Sequence, residues 1–219
     1  MATLLLQLAG PMQAWGIQSL YEVRDSAREP SKSGAIGLLC AALGRARTEP
    51  VADLAGLRFG VRADREGRLS VDYQTWQALT PKGKVQDRGT SQRHYLADAV
   101  FLAGFEGPCT LLATLQAALQ RPHWVLCLGR KACPPSRPVW LADGLRDGDT
   151  LEEALTAYRW LGGPGQAPPS LRLLLECDEG EQSRPDVPLC FAERRFATRR
   201  VRTSFAPCPP EDRPCTSPA

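Results

Sequence analysis

Leu57, Phe59, Val61 and Ala63 alternate with Arg58, Gly60, Arg62 and Asp64. This period of two fits a strand with one buried face and does not fit a helix. A Glu66-Gly67 turn then leads into a second strand-like run from Leu69 to Trp76, so a strand pair is expected here. Thr3 to Leu8 reads as an earlier strand, with Leu4, Leu6 and Leu8 on one face. Between the two, Ile36, Leu39, Cys40 and Leu43 recur at helical spacing after a Pro30-Ser31-Lys32-Ser33 start, and Gly44 suits a C-cap. A further strand runs from Tyr95 to Leu102, a second helix from Cys109 to Leu119, and a last short strand from Trp124 to Leu128. The expected fold class is therefore α+β. The order β-α-β-β-α-β is a ferredoxin-like (RRM-like) plan.

Two additions complete the expected organisation. Residues 77 to 94 are polar and basic and lack a core face, so they are read as a protruding β-hairpin thumb within a domain spanning residues 1–140. Residues 141–206 form a smaller, β-rich C-terminal α+β part. It contains a helix opened by the capping-box pair Thr150 and Glu153, a strand at Leu171–Cys177, and one or two basic strands between Leu189 and Phe205. Pro207, Pro209, Pro210, Pro214 and Pro218 make residues 207–219 an irregular, mobile tail.

Composition narrows the function classes. With 43% hydrophobic residues the chain can pack a core. It has no run of about 18 apolar residues and no basic, cleavable N-terminal segment, so the expectation is a cytoplasmic protein with no membrane partner. The eight cysteines form no C-x-x-C and have no histidine at zinc-type spacing; free thiols, mostly buried, and no metal are expected. The net charge of +3 is mild, so the placement of the cations matters more than their sum.

Three loops can hold a nucleic acid. Leu8-Ala9-Gly10-Pro11-Met12-Gln13-Ala14-Trp15-Gly16 offers open backbone N–H groups, the Gln13 amide for a base edge and Trp15 either as a stacking face or as packing beneath the loop. Arg24, Arg28 and Lys32 lead into a helix start at Ser33 and Gly34, which reads as a phosphate seat or as a solvated basic loop. Gly129-Arg130-Lys131-Ala132-Cys133-Pro134 places two cations after a glycine. RNA-recognition domains of this plan stack bases on strand aromatics, and this chain lacks that signature. Loops and thumb, with Lys84, Arg88, Arg93 and His94, should therefore carry any RNA. Arg194, Arg195, Arg199, Arg200 and Arg202 could face RNA or protein.

Four motifs occur in a telling order: Leu6 to Gly16 as L-x-L-x-G-P-M-Q-A-W-G, Ser33-Gly34-x-x-Gly37-Leu38-Leu39, Tyr95-Leu96-x-Asp98, and Leu128-Gly129-Arg130-Lys131-x-Cys133-Pro134. In this order the chain resembles the CasD family, a subunit of the type I-E CRISPR surveillance complex Cascade. The resemblance covers most of residues 1 to 140 and continues more loosely to about residue 206. It implies a repeat-associated RNA-binding fold, without cofactor, that holds the 5′ handle of the CRISPR RNA and caps the backbone filament in antiviral defence. The implied neighbours are the CasC backbone subunit and the large CasA subunit, with target DNA met only through the complex. Carried onto this sequence, the thumb is roughly Thr80 to His94, and Arg24, Arg28 and Lys32 to Gly34 fall near the handle.

An alternative is a metal-independent endoribonuclease that processes precursor CRISPR RNA, since the resemblance brings in a relative from another CRISPR subtype that cuts its own precursor without metal, at a site that looks like a Tyr, Lys, His trio. Such a site would use His94 and Tyr95. The residue before His94 is Arg93, however, and Gly44-Arg45-Ala46-Arg47 offers no tyrosine. Arginine stays protonated and shuttles protons poorly, so no enzyme is expected. A pure protein–protein scaffold is the third class.

Overall fold

The computed structural model describes residues 1–16, 22–163 and 165–209. In chain order its elements are β1 (Ala2–Ala9), β2 (Met12–Gln13), β3 (Val23–Arg24), α1 (Lys32–Leu43), α2 (Ala52–Ala55), β4 (Arg58–Arg65), β5 (Arg68–Leu79), β6 (Val85–Ala97), β7 (Val100–Gly107), α3 (Cys109–Gln120), β8 (Trp140–Asp147), α4 (Leu151–Ala157), β9 (Ser170–Glu176), β10 (Gln182–Cys190) and β11 (Arg195–Pro207). The protein is mixed α and β and mostly sheet.

One seven-stranded sheet, in the order β10-β11-β9-β4-β7-β1-β8, crosses both halves of the chain. Every neighbouring pair in it is antiparallel. On one face Leu4, Leu6, Leu8, Phe59, Phe101 and Phe105 pack against α1 and α3 in the larger core. On the other, Leu5, Leu102, Leu173 and Leu175 pack against Leu151, Leu155 and Tyr158 of the α4 segment. Each such Leu or Phe contributes about 1.5–3 kcal/mol on burial, so both faces are stabilised by apolar contact.

The helix signals act locally, as their chemistry requires. Ser31 caps α1 by accepting from the Gly34 N–H, and Gly44 ends it in the left-handed conformation at φ +74°. Thr150 and Glu153 close a reciprocal capping box on α4. α4 ends at Ala157, and Tyr158 is extended, so the helix is shorter than the apolar spacing through Leu161 suggests.

Four expectations need correction. Tyr95 to Leu102 is not one strand: β6 ends at Ala97, Asp98 turns at φ +58°, and β7 starts at Val100 in a different sheet. The polar side of β4 does not face water: Arg62 and Asp64 are buried beneath the α4 segment. The Arg62 guanidinium pairs with both Asp64 oxygens at 2.6 and 2.9 Å and donates to the carbonyls of Leu155, Tyr158 and Arg159. Those carbonyls satisfy donors that burial would otherwise strand.

Trp124–Leu128 is not a strand. The Trp124 N–H bonds to Ala41 O at the end of α1, and Leu128 closes a loop onto Cys133 O; the place beside β1 is taken by β8. The thumb also starts earlier than residue 77, because β5 and β6 pair from Arg68↔Ala97 to Leu79↔Val85.

Cys40, Cys109, Cys127, Cys133, Cys177 and Cys190 are free thiols, but of these only Cys40 and Cys133 are buried, fewer than expected. Among the described residues no helix is long and apolar enough to cross a membrane, and no group of three or more His, Cys, Asp or Glu could hold a metal ion. The expected tail lies outside the described residues from 210 onward.

Candidate nucleic-acid interface

The two most specific motifs touch. The Ala14 N–H bonds to Leu128 O at 3.1 Å. Gly129 has φ +87°, and a Cβ there would overlap the Ala14 carbonyl oxygen. A Cβ on Gly10 would meet Leu128 Cδ1 at 2.9 Å and Pro134 O at 3.0 Å. The glycines of both loops thus permit close backbone approach, and the loop after β1 is packed onto the 128–134 loop.

Gln13 and Trp15 are corrected as RNA contacts, because both are interior. Gln13 Nε2 donates to Leu8 O and Ala99 O, and its Oε1 accepts from Trp15 Nε1 at 3.0 Å. Trp15 is 1% exposed and lies against Gly34, where a Cβ would stand 2.8 Å from its ring. A buried amide and indole with every donor used stabilise the loop and leave nothing for a base edge.

The expected phosphate seat at the start of α1 is also occupied by protein. The Lys32 N–H donates to Asp186 Oδ2 at 2.8 Å, and Lys32 Nζ reaches both Glu176 oxygens at 2.9 Å. Burial lowers the pKa of this ammonium, and Glu176 partly restores it. Ser33 Oγ points to Ser31 Oγ at 3.4 Å. Lys32 is therefore corrected to a structural cation, while Arg24 and Arg28 are exposed.

Arg130 is a clasp. Its guanidinium donates to His94 O at 3.0 Å, Arg24 O at 2.7 Å and Asp25 O at 3.0 Å, and lies over the Tyr95 ring at 4.8 Å. It ties the 129–134 loop to the thumb base and to β3, so its main work is positioning. Lys131 beside it is exposed, as are Lys84 and Arg88 on the thumb; Arg93 and His94 are half-buried at the thumb base, and Tyr95 is buried.

These loops border a groove of about 1030 Å³. Gly34, Gly37 and Ala41 of α1 line it, together with Trp124, Gly129 and Phe196. Its cations are Arg45, Arg47, Arg130, Lys131 and Arg194, and among the described residues that line it none is Asp or Glu. Arg45 is held by Asp53 at 2.7 and 2.6 Å, and that hydrogen-bonded pair lowers the Asp53 pKa. Arg47 donates to Phe191 O at 3.1 Å. Burial pushes the Cys40 thiol at the groove up to about 11.

Arg45, Arg47 and Trp124 join the site without standing out in the sequence. Their only signal is two arginines just past a glycine C-cap, and Trp124 opens a segment with the apolar content of a strand. The arginine run divides. Arg194 lines the groove, Arg199 is buried on Asp186 at 2.7 Å, Arg202 meets Glu152 at 2.6 Å and Arg195 meets Glu193, whereas Arg200 is exposed.

Similarity to known proteins agrees with this arrangement. The family model described as CRISPR-associated protein (Cas_Cas5) matches residues 3–202. The "CRISPR system Cascade subunit CasD" of Escherichia coli (strain K12) is 32% identical over 181 residues, covering 73% of this chain and 78% of the relative. A solved chain described as "Crystal structure of Cas protein" superposes with a TM-score of 0.80 at 45% identity, covering 94% of this chain and 97% of its own. A chain of a "CRISPR RNA-guided surveillance complex" superposes with a TM-score of 0.78 at 32% identity, covering 94% of this chain and 91% of its own. With the motifs in contact, the groove between them and a matching model over nearly the whole described chain, this protein belongs to the Cas5 family of CRISPR-associated proteins.

Proposed function

We propose that the protein is the non-catalytic subunit of a Cascade surveillance complex that holds the 5′ handle of the CRISPR RNA in the groove. The thumb lies across the strand, CasC and CasA are the neighbouring subunits, target DNA is met only through the assembly, and the complex works in the cytoplasm. The observation that carries this reading is the groove lined by cations with no carboxylate among the described residues, which suits a polyanion. The path β1-α1-β4-β7-α3-β8, with strand order β4-β7-β1-β8, supports a ferredoxin-like RNA-binding unit. That unit takes in β8 and so runs slightly past residue 140; the C-terminal part through residue 206 flanks it on the same sheet.

Metal-independent cutting has little support from the thumb base. Arg93 cannot serve as a proton shuttle, and Tyr95 is buried under the Arg130 guanidinium. Precursor RNA is expected to stay intact in EDTA; cleavage abolished by His94→Ala would show the protein to be a nuclease.

The main test is filter binding of CRISPR RNA with and without its handle. The wild type is expected to favour the handle-bearing RNA, and combined charge reversal at Arg28 and Lys131 to lower its affinity. The salt slope should flatten by about 0.7 log units for each phosphate that is no longer held. Equal binding of both RNAs, or indifference to both reversals, would sink the reading.

A further inference from the structure

The far wall of the groove comes from the turn joining β10 to β11, remote in sequence from the motifs on the near wall. Two hydrogen bonds fasten it to the segment following α1: Ala192 N–H to Arg47 O and Arg47 Nη2 to Phe191 O, both at 3.1 Å. Phe191 and Phe196 meet edge to face at 6.4 Å and 72°, so the tip is braced from within. Phe196 nevertheless keeps 39% of its surface exposed. The 124–131 loop contributes Trp124 to the same groove, 45% exposed. It is held by its bond to Ala41 O at 3.0 Å and by an edge contact with His123 at 5.3 Å. Arg194, exposed and lining the groove, sits at φ +54°, a left-handed conformation uncommon for a long side chain and frequent at binding sites.

We infer that this hairpin tip is the second jaw of the RNA site: Phe196 and Trp124 stack on unpaired bases while Arg194 and Lys131 hold the intervening phosphates. The site therefore takes unpaired RNA and rejects duplex. The inference rests on the proposal that RNA occupies the groove. Exposed rings fixed by backbone bonds and flanked by cations are the combination that holds single strands. In a duplex the base faces are already covered by their neighbours, and the rings would have nothing to stack on. The C-terminal part then belongs to the binding site, beyond any role in completing the sheet.

The test uses the full chain and a labelled handle RNA, single-stranded or annealed to its complement, with thermal melts to confirm folding. The single strand should bind at least about tenfold more tightly than the duplex. Phe196→Ala and Trp124→Ala should each remove about tenfold of that affinity and leave duplex binding unchanged, while Phe196→Trp restores it. Arg194→Glu should weaken single-strand binding and flatten its salt slope by about 0.7 log units, the value for one phosphate. Loss in Lys131→Glu with no change in Phe196→Ala and Arg194→Glu overturns the jaw and leaves the RNA-groove reading standing. No loss in any of the three overturns both. Should Phe196→Ala melt early, Phe196→Leu decides: it keeps the packing without the aromatic face, so full affinity in it overturns the stacking.

Discussion

Three of the groove's guanidiniums are fixed by protein: Arg45 on Asp53, Arg47 on Phe191 O, and Arg130 on the carbonyls of Arg24, Asp25 and His94. The thumb is built differently. Lys82, Lys84 and Arg88 stand exposed on a hairpin whose β5 pairs, among the described strands, only with β6. Leu69, Val71 and Tyr73 are exposed along the same strand. A site whose cations are already held loses little side-chain freedom when a ligand arrives. Free lysines on a two-stranded ladder act through charge alone, which salt screens. Shape should therefore come from the groove, and electrostatic attraction with adjustable reach from the thumb.

The largest expected effect strikes the groove's construction. Gly129→Ala must displace the loop after β1, because its Cβ would overlap the Ala14 carbonyl and φ is +87°. A loss of about 3 kcal/mol in denaturant unfolding is expected, with RNA binding collapsing alongside it. A variant as stable as wild type would show that the two loops are not locked together. Next is Arg130→Met, which removes charged hydrogen bonds worth about 2 kcal/mol. It should speed amide exchange at both the thumb base and residues 22–25, and exchange confined to the 129–134 loop would break the clasp.

On the thumb, Lys84→Glu should change stability by no more than about 0.5 kcal/mol. Its several-fold loss of RNA affinity should fade as salt is raised, whereas the losses in Phe196→Ala and Trp124→Ala persist. Matching salt behaviour in the two regions would erase the contrast between groove and thumb. The smallest effect is chemical. The Cys40 thiol, held up to about 11 by burial, stays protonated at pH 8 and should resist alkylation until the pH rises toward that value, while exposed Cys109 reacts readily. Equal labelling at pH 8 would mean that α1 opens at the groove.

Local chemistry makes much of this legible in the sequence. Ser31 and Gly44 bound α1, Thr150 and Glu153 start α4, and the stretch from 77 to 90 shows no core face because it projects beyond the packed base of the hairpin. Other features depend on partners far along the chain. Nothing near Arg62 announces that its guanidinium will be satisfied by carbonyls at Leu155, Tyr158 and Arg159. The alternation there reads as water on the polar side for that reason. Trp124–Leu128 has the apolar content of a strand and uses it as a loop over α1, while β8 carries Asp143 and Asp147 in a segment that looks acidic and irregular.

The site is half visible on the same grounds. Its loops are marked by glycines and cations, and the roles inside those loops are not. Gln13, Trp15 and Lys32 have the residue types of ligand contacts and serve as internal fastenings. Phe191, Arg194 and Phe196 reach the groove only because β11 returns beside β9.

The seven-stranded sheet also sets an order of events during synthesis. Ala2 pairs with Asp147, and Gly60 with Leu175, so strands made early wait for neighbours translated much later. A nascent chain that has emerged only as far as β7 leaves β1 and β4 with an open edge each, the condition under which chains pair wrongly or aggregate. Pairings this distant in sequence also slow folding. The protein should therefore fold late, nearly whole, and depend on protection at the ribosome, and shortened versions that stop before β9 should be recovered mainly as aggregates.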